Sequence, residues 1–395
     1  MPFRFLPVLL LAGCVSAAVP SAPPPAATGL DTAEAACVSP GNWYDAHGRQ
    51  VAANSVLRRA AAAPAVLLGE RHDRADHHRW QLQTLAAVHA LNPNVAIGLE
   101  MLPRSKQGVL DRWVAGDLSE AQLLEQSDWS GIWAVDLQLY LPILHFARMN
   151  RLPLVAVNIE RALVTRTRRE GWAAVPVAER GGVGDPAPAP EGYIDYLAAA
   201  LGAHGEGEKK AFDRDAPEFR RFVEAQSVWD RAMAERIAET HRDTGRTVVV
   251  MVGYGHIEQR YGIPHQLDAL GVRGAAVLLP WDGARQCSMF DGTLADAVFA
   301  MAAAEETEEA PRPRLGVTLE PTKDGLRIGR ITEGSVAAKS GLAVGDILES
   351  AAGTPVKRMA DVTAVVQRQA PGTWLPLTVR RGGKPLSLVA KFPPP

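Results

Sequence analysis

Five short runs, residues 65–69, 95–99, 154–157, 247–252 and 275–279, are almost wholly apolar. A strand with one face in water alternates apolar and polar residues. A run without alternation suits a strand covered on both faces, which is the habit of parallel sheets. Longer stretches with a helical period lie between the runs. One starts near Asp73 and carries Leu82, Leu85 and Val88 on one face. A better-marked one has Asp215 as its N-cap with Glu218 three residues later. Its apolar stripe is Phe219, Phe222, Val223, Trp229, Met233 and Ile237, and Gly245 lies beyond its end. This alternation predicts an α/β domain, a mostly parallel sheet flanked by helices. Residues 181–190, with Pro186, Pro188 and Pro190, read as a surface loop or an insertion.

The chain has 395 residues, more than one compact domain needs, and its 47% hydrophobic and 22% charged residues suffice for buried cores. A net charge of −2 excludes a chain-wide basic footprint for nucleic acid. No apolar run reaches the ~20 residues of a membrane-spanning helix. Three cysteines are too few for a disulfide scaffold or a Cys-rich zinc module. The acidic, Pro-containing stretch around 301–313 has no apolar period and reads as a linker. Residues 312–395 carry 13 Lys and Arg against 6 Asp and Glu, a net of +7 that leaves −9 on the rest. The basic C-terminal unit and the acidic larger one therefore attract each other loosely.

The first 14 residues form a short apolar signal ending Leu11-Ala12-Gly13-Cys14, which matches the bacterial lipobox. In that reading Cys14 is acylated and anchors the chain to a membrane, at ~0.8 kcal/mol per buried methylene. Residues 15–36 are an Ala/Pro-rich tether. Ser16, with no Asp after the cysteine, favours an outer-membrane lipoprotein facing the periplasm, by resemblance to bacterial lipoproteins. Cys37 and Cys287 flank the larger domain, residues 37–300, and are expected to form a disulfide in that oxidising compartment.

In open α/β sheets, ligands bind outside the carboxyl ends of the strands. The runs end in Gly69-Glu70-Arg71-His72-Asp73, Gly98-Leu99-Glu100-Met101, Val157-Asn158-Ile159-Glu160, Val252-Gly253-Tyr254-Gly255-His256 and Pro280-Trp281-Asp282. Two carboxylates, two imidazoles and an amide are thus expected on one rim. Glu70 and His72 are two apart, so in extended chain they point to one face. His77 and His78 sit in the first turn of the next helix, where only one can face that rim; either is a candidate ligand, with plain solvent exposure as the competing reading.

These motifs, with Leu141-Pro142-Ile143-Leu144, Ala225-Gln226-Ser227-Val228-Trp229-Asp230 and Tyr261-Gly262-Ile263-Pro264, resemble the ChaN-type haem-binding uptake lipoproteins over about residues 43–299. That family sits in a wider group with Tiki metalloproteases, TraB proteins and erythromycin esterase-like enzymes. The haem reading implies binding without turnover, for iron acquisition. Tyr140, Tyr254 and Tyr261 are then candidate iron ligands, and Trp43, Trp129, Trp133 and Trp281 candidate aromatic walls. The enzyme reading implies a hydrolase using Glu70, His72, Glu100 and His256. There His72, Glu100 and His256 could hold a divalent metal, with the other carboxylate as general base. Spacing does not separate the two. Haem held between two subunits of a homodimer would leave no mark in one sequence.

Residues 314–395 resemble a PDZ domain of the bacterial HtrA type. The run Gly334-Ser335-Val336-Ala337-Ala338-Lys339-Ser340-Gly341-Leu342, followed by Val344-Gly345-Asp346-Ile347-Leu348, carries the resemblance. Backbone N–H groups at Leu315, Gly316 and Val317 would hold the carboxylate of a protein C-terminus, and residues 359–366 would form the helix across the groove. Docking of this domain on its own neighbour is the competing role.

Overall fold

The computed structural model describes residues 37–133, 135–203, 214–282, 285–302 and 313–394. The signal, the tether and Cys14, and most of the 301–313 linker, lie outside the described residues. The N-terminal domain opens with β1 (Trp43–Tyr44), β2 (Gln50–Val51) and α1 (Ala53–Ala62). Then come β3 (Ala65–Glu70), α2 (Ala75–Leu91) and β4 (Val95–Pro103). Helices α3 (Gln107–Ala115), α4 (Glu120–Ser127), α5 (Trp129–Ile132) and α6 (Leu141–Asn150) lead to β5 (Leu154–Asn158). After α7 (Arg161–Glu170), α8 (Glu191–Ala203) and α9 (Pro217–Thr244) come β6 (Thr247–Gly253), α10 (Ile263–Ala269), β7 (Ala276–Trp281) and β8 (Ala297–Ala300).

The strands form an eight-stranded sheet in the order β2-β1-β8-β7-β3-β6-β4-β5. From β8 to β5 every pairing is parallel, while β1 and β2 add an antiparallel edge. The period-2 alternation of buried strands divides the core into two layers. Val66 and Leu68 pack on one side with Trp80 and Leu85 of α2 and Ile143 of α6. Ala65 and Leu67 pack on the other with Met233 and Ile237 of α9 and Leu267 of α10. Each such side chain contributes roughly 1.5–3 kcal/mol on burial, which is why the five unalternating runs are the strands.

The strands run past the expected ends. β3 includes Glu70, β4 extends to Pro103, β5 includes Asn158 and β6 includes Gly253. Glu70, Glu100 and Asn158 therefore stand within the strands, while His72 and His256 follow them in tight turns. The two-residue edge strands β1 and β2 are too short to carry a period, while β8 opens an apolar run, 297–304, that the five runs above do not include. The long helix starts later than its acidic cap signal suggests. Ala216 is the N-cap, and Pro217 takes the first position, where its missing N–H costs nothing.

The C-terminal domain is antiparallel: β9 (Val317–Thr322), β10 (Gly325–Ile331), α11 (Val336–Lys339), β11 (Ile347–Ala351), β12 (Thr354–Pro355), α12 (Met359–Gln367), β13 (Trp374–Arg381) and β14 (Lys384–Lys391). Its sheet runs β14-β13-β11-β10-β9, with β12 on β11. It has its own core, built on Leu326, Ile328, Leu348, Val362, Leu375 and Val379. Among the described residues no helix is long and apolar enough to cross a membrane.

Cys37 and Cys287 are bonded, with Cα atoms 5.7 Å apart across 250 residues of chain. The bond joins the segment before β1 to the β7–β8 connection, so it ties together the two segments that lead into the paired strands β1 and β8. Replacing Cys37 by Ser is expected to lower the unfolding free energy by about 2–4 kcal/mol. Denaturant melts of the wild type with and without reductant, beside the variant, check this; coincident oxidised and reduced melts would show that the bond adds nothing.

Candidate functional site

The parallel strands β3, β4, β5 and β6 end side by side, so their last residues meet at one rim. Glu70 closes β3 and is fully buried as a side chain. A carboxylate there is stable only if its oxygens are satisfied. Tyr140 donates its hydroxyl to Oε1 at 2.6 Å, and His72 Nδ1 reaches the same oxygen at 2.8 Å. His78 Nδ1, which bonds the Gln81 side-chain oxygen at 3.3 Å, lies 3.2 Å from Oε2; it faces that oxygen as an ion-pair partner without hydrogen-bonding it. Burial pushes the Glu70 carboxyl up, but the two imidazoles outweigh it and hold it at about 2. His78 has acceptors at both nitrogens, since Nε2 donates to the His72 carbonyl at 3.0 Å. Burial works against its charge, and Glu70 still raises its pKa above the usual histidine value. His72 moves the same way: burial is offset by the Glu70 bond and the Glu100 charge.

Beside this cluster stands a second one. Glu100 is buried in β4, and its Oε2 accepts the Gly253 N–H at 2.6 Å. Its Oε1 faces His256 Nε2 at 3.5 Å. The other ring nitrogen of His256 donates to Asp230 Oδ1 at 2.6 Å, and Tyr193 donates to Asp230 Oδ2 at 2.6 Å. Burial opposes charge on His256, but Asp230 and Glu100 raise it to about 9. Asn158 links the elements: Nδ2 donates to the Glu100 carbonyl at 2.6 Å, and Oδ1 accepts Trp229 Nε1 at 2.6 Å.

Glycines make the approach possible. A Cβ on Gly253 would sit 2.8 Å from His72 Cε1, so no larger residue lets β6 lie against that ring. A Cβ on Gly262 would sit 2.4 Å from the His256 carbonyl oxygen and 2.9 Å from Asp230 Oδ2. The Tyr261-Gly262-Ile263-Pro264 motif therefore lets α10 start against the Asp230–His256 pair.

A cavity of about 330 Å³ opens over the first cluster, lined by Glu70, Arg71, His72, Val135, Gly253 and Tyr254. Trp133 meets the His72 ring edge-on at 4.7 Å, and Trp229 meets the His256 ring at 4.9 Å. Of the four expected aromatic walls only Trp133 stands beside the rim. Trp43, Trp129 and Trp281 are buried in the domain core, because their strand and helix positions face inward. The tyrosines separate too. Tyr140 is fully buried and spends its hydroxyl on Glu70. Tyr261 packs against Tyr193, away from the cavity. Tyr254 lines the cavity, with the Arg285 guanidinium over its ring at 4.8 Å. Burial pushes its phenol up while Arg285 pulls the other way.

Two expectations are corrected. His77 and His78 are both buried and neither faces solvent; His77 Nδ1 accepts the Arg71 N–H at 3.0 Å and so shapes the turn after β3. A metal held by His72, Glu100 and His256 does not match the geometry. Among the described residues no group of three or more His, Cys, Asp or Glu is arranged to hold a metal ion. The physical reason is that the donors are engaged elsewhere: His72 turns Nδ1 to Glu70, and Glu100 Oε2 accepts the Gly253 N–H, so the three side chains do not converge on one point. Sequence reasoning missed Asp230 and Trp229 as site members. The signal was a lone Asp on the apolar stripe of α9, seven residues before Ile237 and seven after Val223.

Residues 56–267, over half of the chain, match the family model described as haem-binding uptake, Tiki superfamily, ChaN. The chain belongs to this family. It is similar to a solved structure of ChaN of Campylobacter jejuni described as cofacial haem binding, at 18% identity and TM-score 0.52, over 65% of this chain and 95% of that one. That likeness shows the shared fold. Residues 313–391 match the PDZ domain model. Part of the chain is also similar to a serine endoprotease from Yersinia pestis, at 25% identity and TM-score 0.19, over 20% of this chain and 28% of that one. No curated protein matches the chain.

In the PDZ domain, Leu315 is buried in the core, Gly316 adopts φ +80° and Val317 opens β9. β9 is an edge strand paired only with β10, which leaves its outer hydrogen-bonding side open. On α12, Val362, Val365 and Val366 pack toward that core.

The pKa shifts fix a pH dependence. His256 is raised in the fold from 6.5 to about 9, so its contribution is full below pH 6.5 and disappears as pH rises through 9. Glu70 is lowered from 4.5 to about 2, so its contribution is full above pH 4.5 and disappears as pH falls through 2. Asp230→Asn is expected to lower stability on the order of 2 kcal/mol near pH 6 and to flatten the decline between pH 6.5 and 9. Urea melts across pH check it; an unchanged alkaline decline would remove His256 as its cause.

Proposed function

We propose that this chain is an outer-membrane-anchored lipoprotein that binds haem at the β-strand rim for iron acquisition, and that its PDZ domain recruits a protein C-terminus. Membership of the haem-binding uptake family supports the first part. The observation that carries it is the cavity itself: an open recess between Glu70, Arg71, His72 and Asp73 on one side and Val135 and Gly253 to Gly255 on the other, with one tyrosine, Tyr254, on its wall. Tyrosine oxygen is a known class of haem-iron ligand. Tyr254 alone of the three candidate tyrosines both lines the cavity and leaves its hydroxyl outside the carboxylate clusters. Arg71 lines the same cavity with its side chain 41% exposed, placed to meet a propionate. Trp133 and Val135 supply apolar contact for a flat ring.

Haem is cargo in this reading, and the buried clusters hold the rim rigid beneath it. The PDZ reading rests on the domain match, the edge position of β9 and the turn at Leu315, Gly316 and Val317. The Cys14 anchor follows from the lipobox. Cofacial haem in a relative makes a homodimer the natural assembly to look for.

A second reading has one observation in its favour. The chain Asp230–His256–Glu100 is a carboxylate-oriented imidazolium at a strand end, the arrangement of a general acid in a hydrolase. It needs no metal.

Titration of the protein with haemin, followed in the Soret band, is expected to give a saturable shift at fixed stoichiometry. Tyr254→Phe is expected to weaken that affinity by about tenfold, ~1.4 kcal/mol. Tyr140→Phe is expected to leave the spectrum of the complex unchanged and to lower stability by about 1–3 kcal/mol, since Glu70 loses a donor. A shift no larger than that of a control protein would refute haem binding. Ester or amide turnover abolished by His256→Ala would then establish the hydrolase.

A further inference from the structure

The rim cavity and the cleft between the two domains share a wall. Residues Asp128 to Trp133 and Val135 to Leu137 run from α4 through α5 toward α6. On the inner side, Trp133 stands against His72, and Val135 lines the rim cavity. On the outer side, Trp133, Val135 and Leu137 face Ala360, Thr363 and Ala364 of α12 across a gap of about 170 Å³. Both ends of this wall are gripped from the PDZ domain. Arg358 pairs with Asp128 at 2.5 Å, and Arg368 pairs with Asp136 at 3.5 Å. Asp128 is the turning point between α4 and α5 and holds a left-handed backbone at φ +53°, a conformation that costs a non-glycine residue energy. The PDZ domain thus grips the strained corner from which the wall hangs.

The faces of α12 explain why this contact reaches the groove. Ala360, Thr363 and Ala364 recur at helical spacing and face the wall, while Val362, Val365 and Val366 lie on the opposite face and pack into the PDZ domain. One helix is therefore both the far side of the peptide groove and the backing of the rim wall. A segment with packing on both sides opens less readily than one with solvent on one side.

We propose that docking of the PDZ domain through Arg358 and Arg368 holds Trp133 and Val135 against the rim, so that the PDZ domain governs how fast haem enters and leaves. The proposal rests on the haem reading of the rim for its ligand, and on the contact geometry alone for the linkage. The decisive experiment uses the full-length chain with Arg358→Asp and, separately, Arg368→Asp. Lys357→Asp, on the exposed neighbour of Arg358, is the charge control. Hydrogen exchange in residues 128–137 and the stopped-flow rate of haemin association are both measured. Each arginine variant is expected to speed haemin association roughly two- to fivefold, the range that loss of a surface ion pair supplies. Exchange in 128–137 is expected to rise with it, and Lys357→Asp to change neither. Arg358 also caps α12 through Asp361; Arg368→Asp keeps the test sound if the first variant frays that helix. Faster exchange with an unchanged haemin rate would overturn control of access. Unchanged exchange in both variants would overturn the linkage itself. Absence of any Soret shift in the wild type would reject the haem reading, and exchange alone would then judge the linkage.

Discussion

The structure around the rim depends on one buried charge. Glu70 ends a central strand with no solvent on its side chain, and an isolated carboxylate there would cost several kcal/mol. Everything near it serves that need. The chain turns after β3 so that His72 folds back on it, α2 begins where His78 can reach the second oxygen, and Tyr140 arrives from just before α6. Two neighbouring turns and one distant element, Tyr140 from 70 residues on, are thus tied to one oxygen pair. The same logic repeats around His256, where the cation is buried and Asp230, Glu100 and Tyr193 are the answering groups. Charges alternate across the rim, so removing one partner destabilises either cluster.

The parallel strands were legible because burial on both faces forbids polar alternation, and only the interior of a doubly covered sheet does that. Glu70, His72, Glu100 and His256 were legible because strand ends are where polar residues interrupt such runs. The limits are equally physical. Two-residue edge strands such as β1 and β2 carry no period. Asp230 and Trp229 sit on a helix, where a polar residue on the apolar face reads as a flaw in the stripe until the facing histidine is known. Tyrosines cannot be sorted by spacing, since Tyr140 and Tyr254 differ only in what lies opposite them. The charge split of the chain did foreshadow the domain contact, and Arg358 and Arg368 are where that attraction becomes geometry.

The rigidity of the two clusters has a consequence for ligand entry. Residues whose charges are balanced by short bonds cannot move aside without exposing an unpaired ion, so the floor of the cavity is fixed. Adaptation must come from parts held by apolar contact. Trp133 and Val135 are those parts: neither carries charge, and both lie between the sheet's own core and the adjoining PDZ domain. A flat ligand entering over His72 would therefore displace this wall before it displaced anything else. That places the adjustable side of the site on the same segment that α12 supports, and it makes the junction at Asp128, not the histidines, the place where the two domains of this chain communicate.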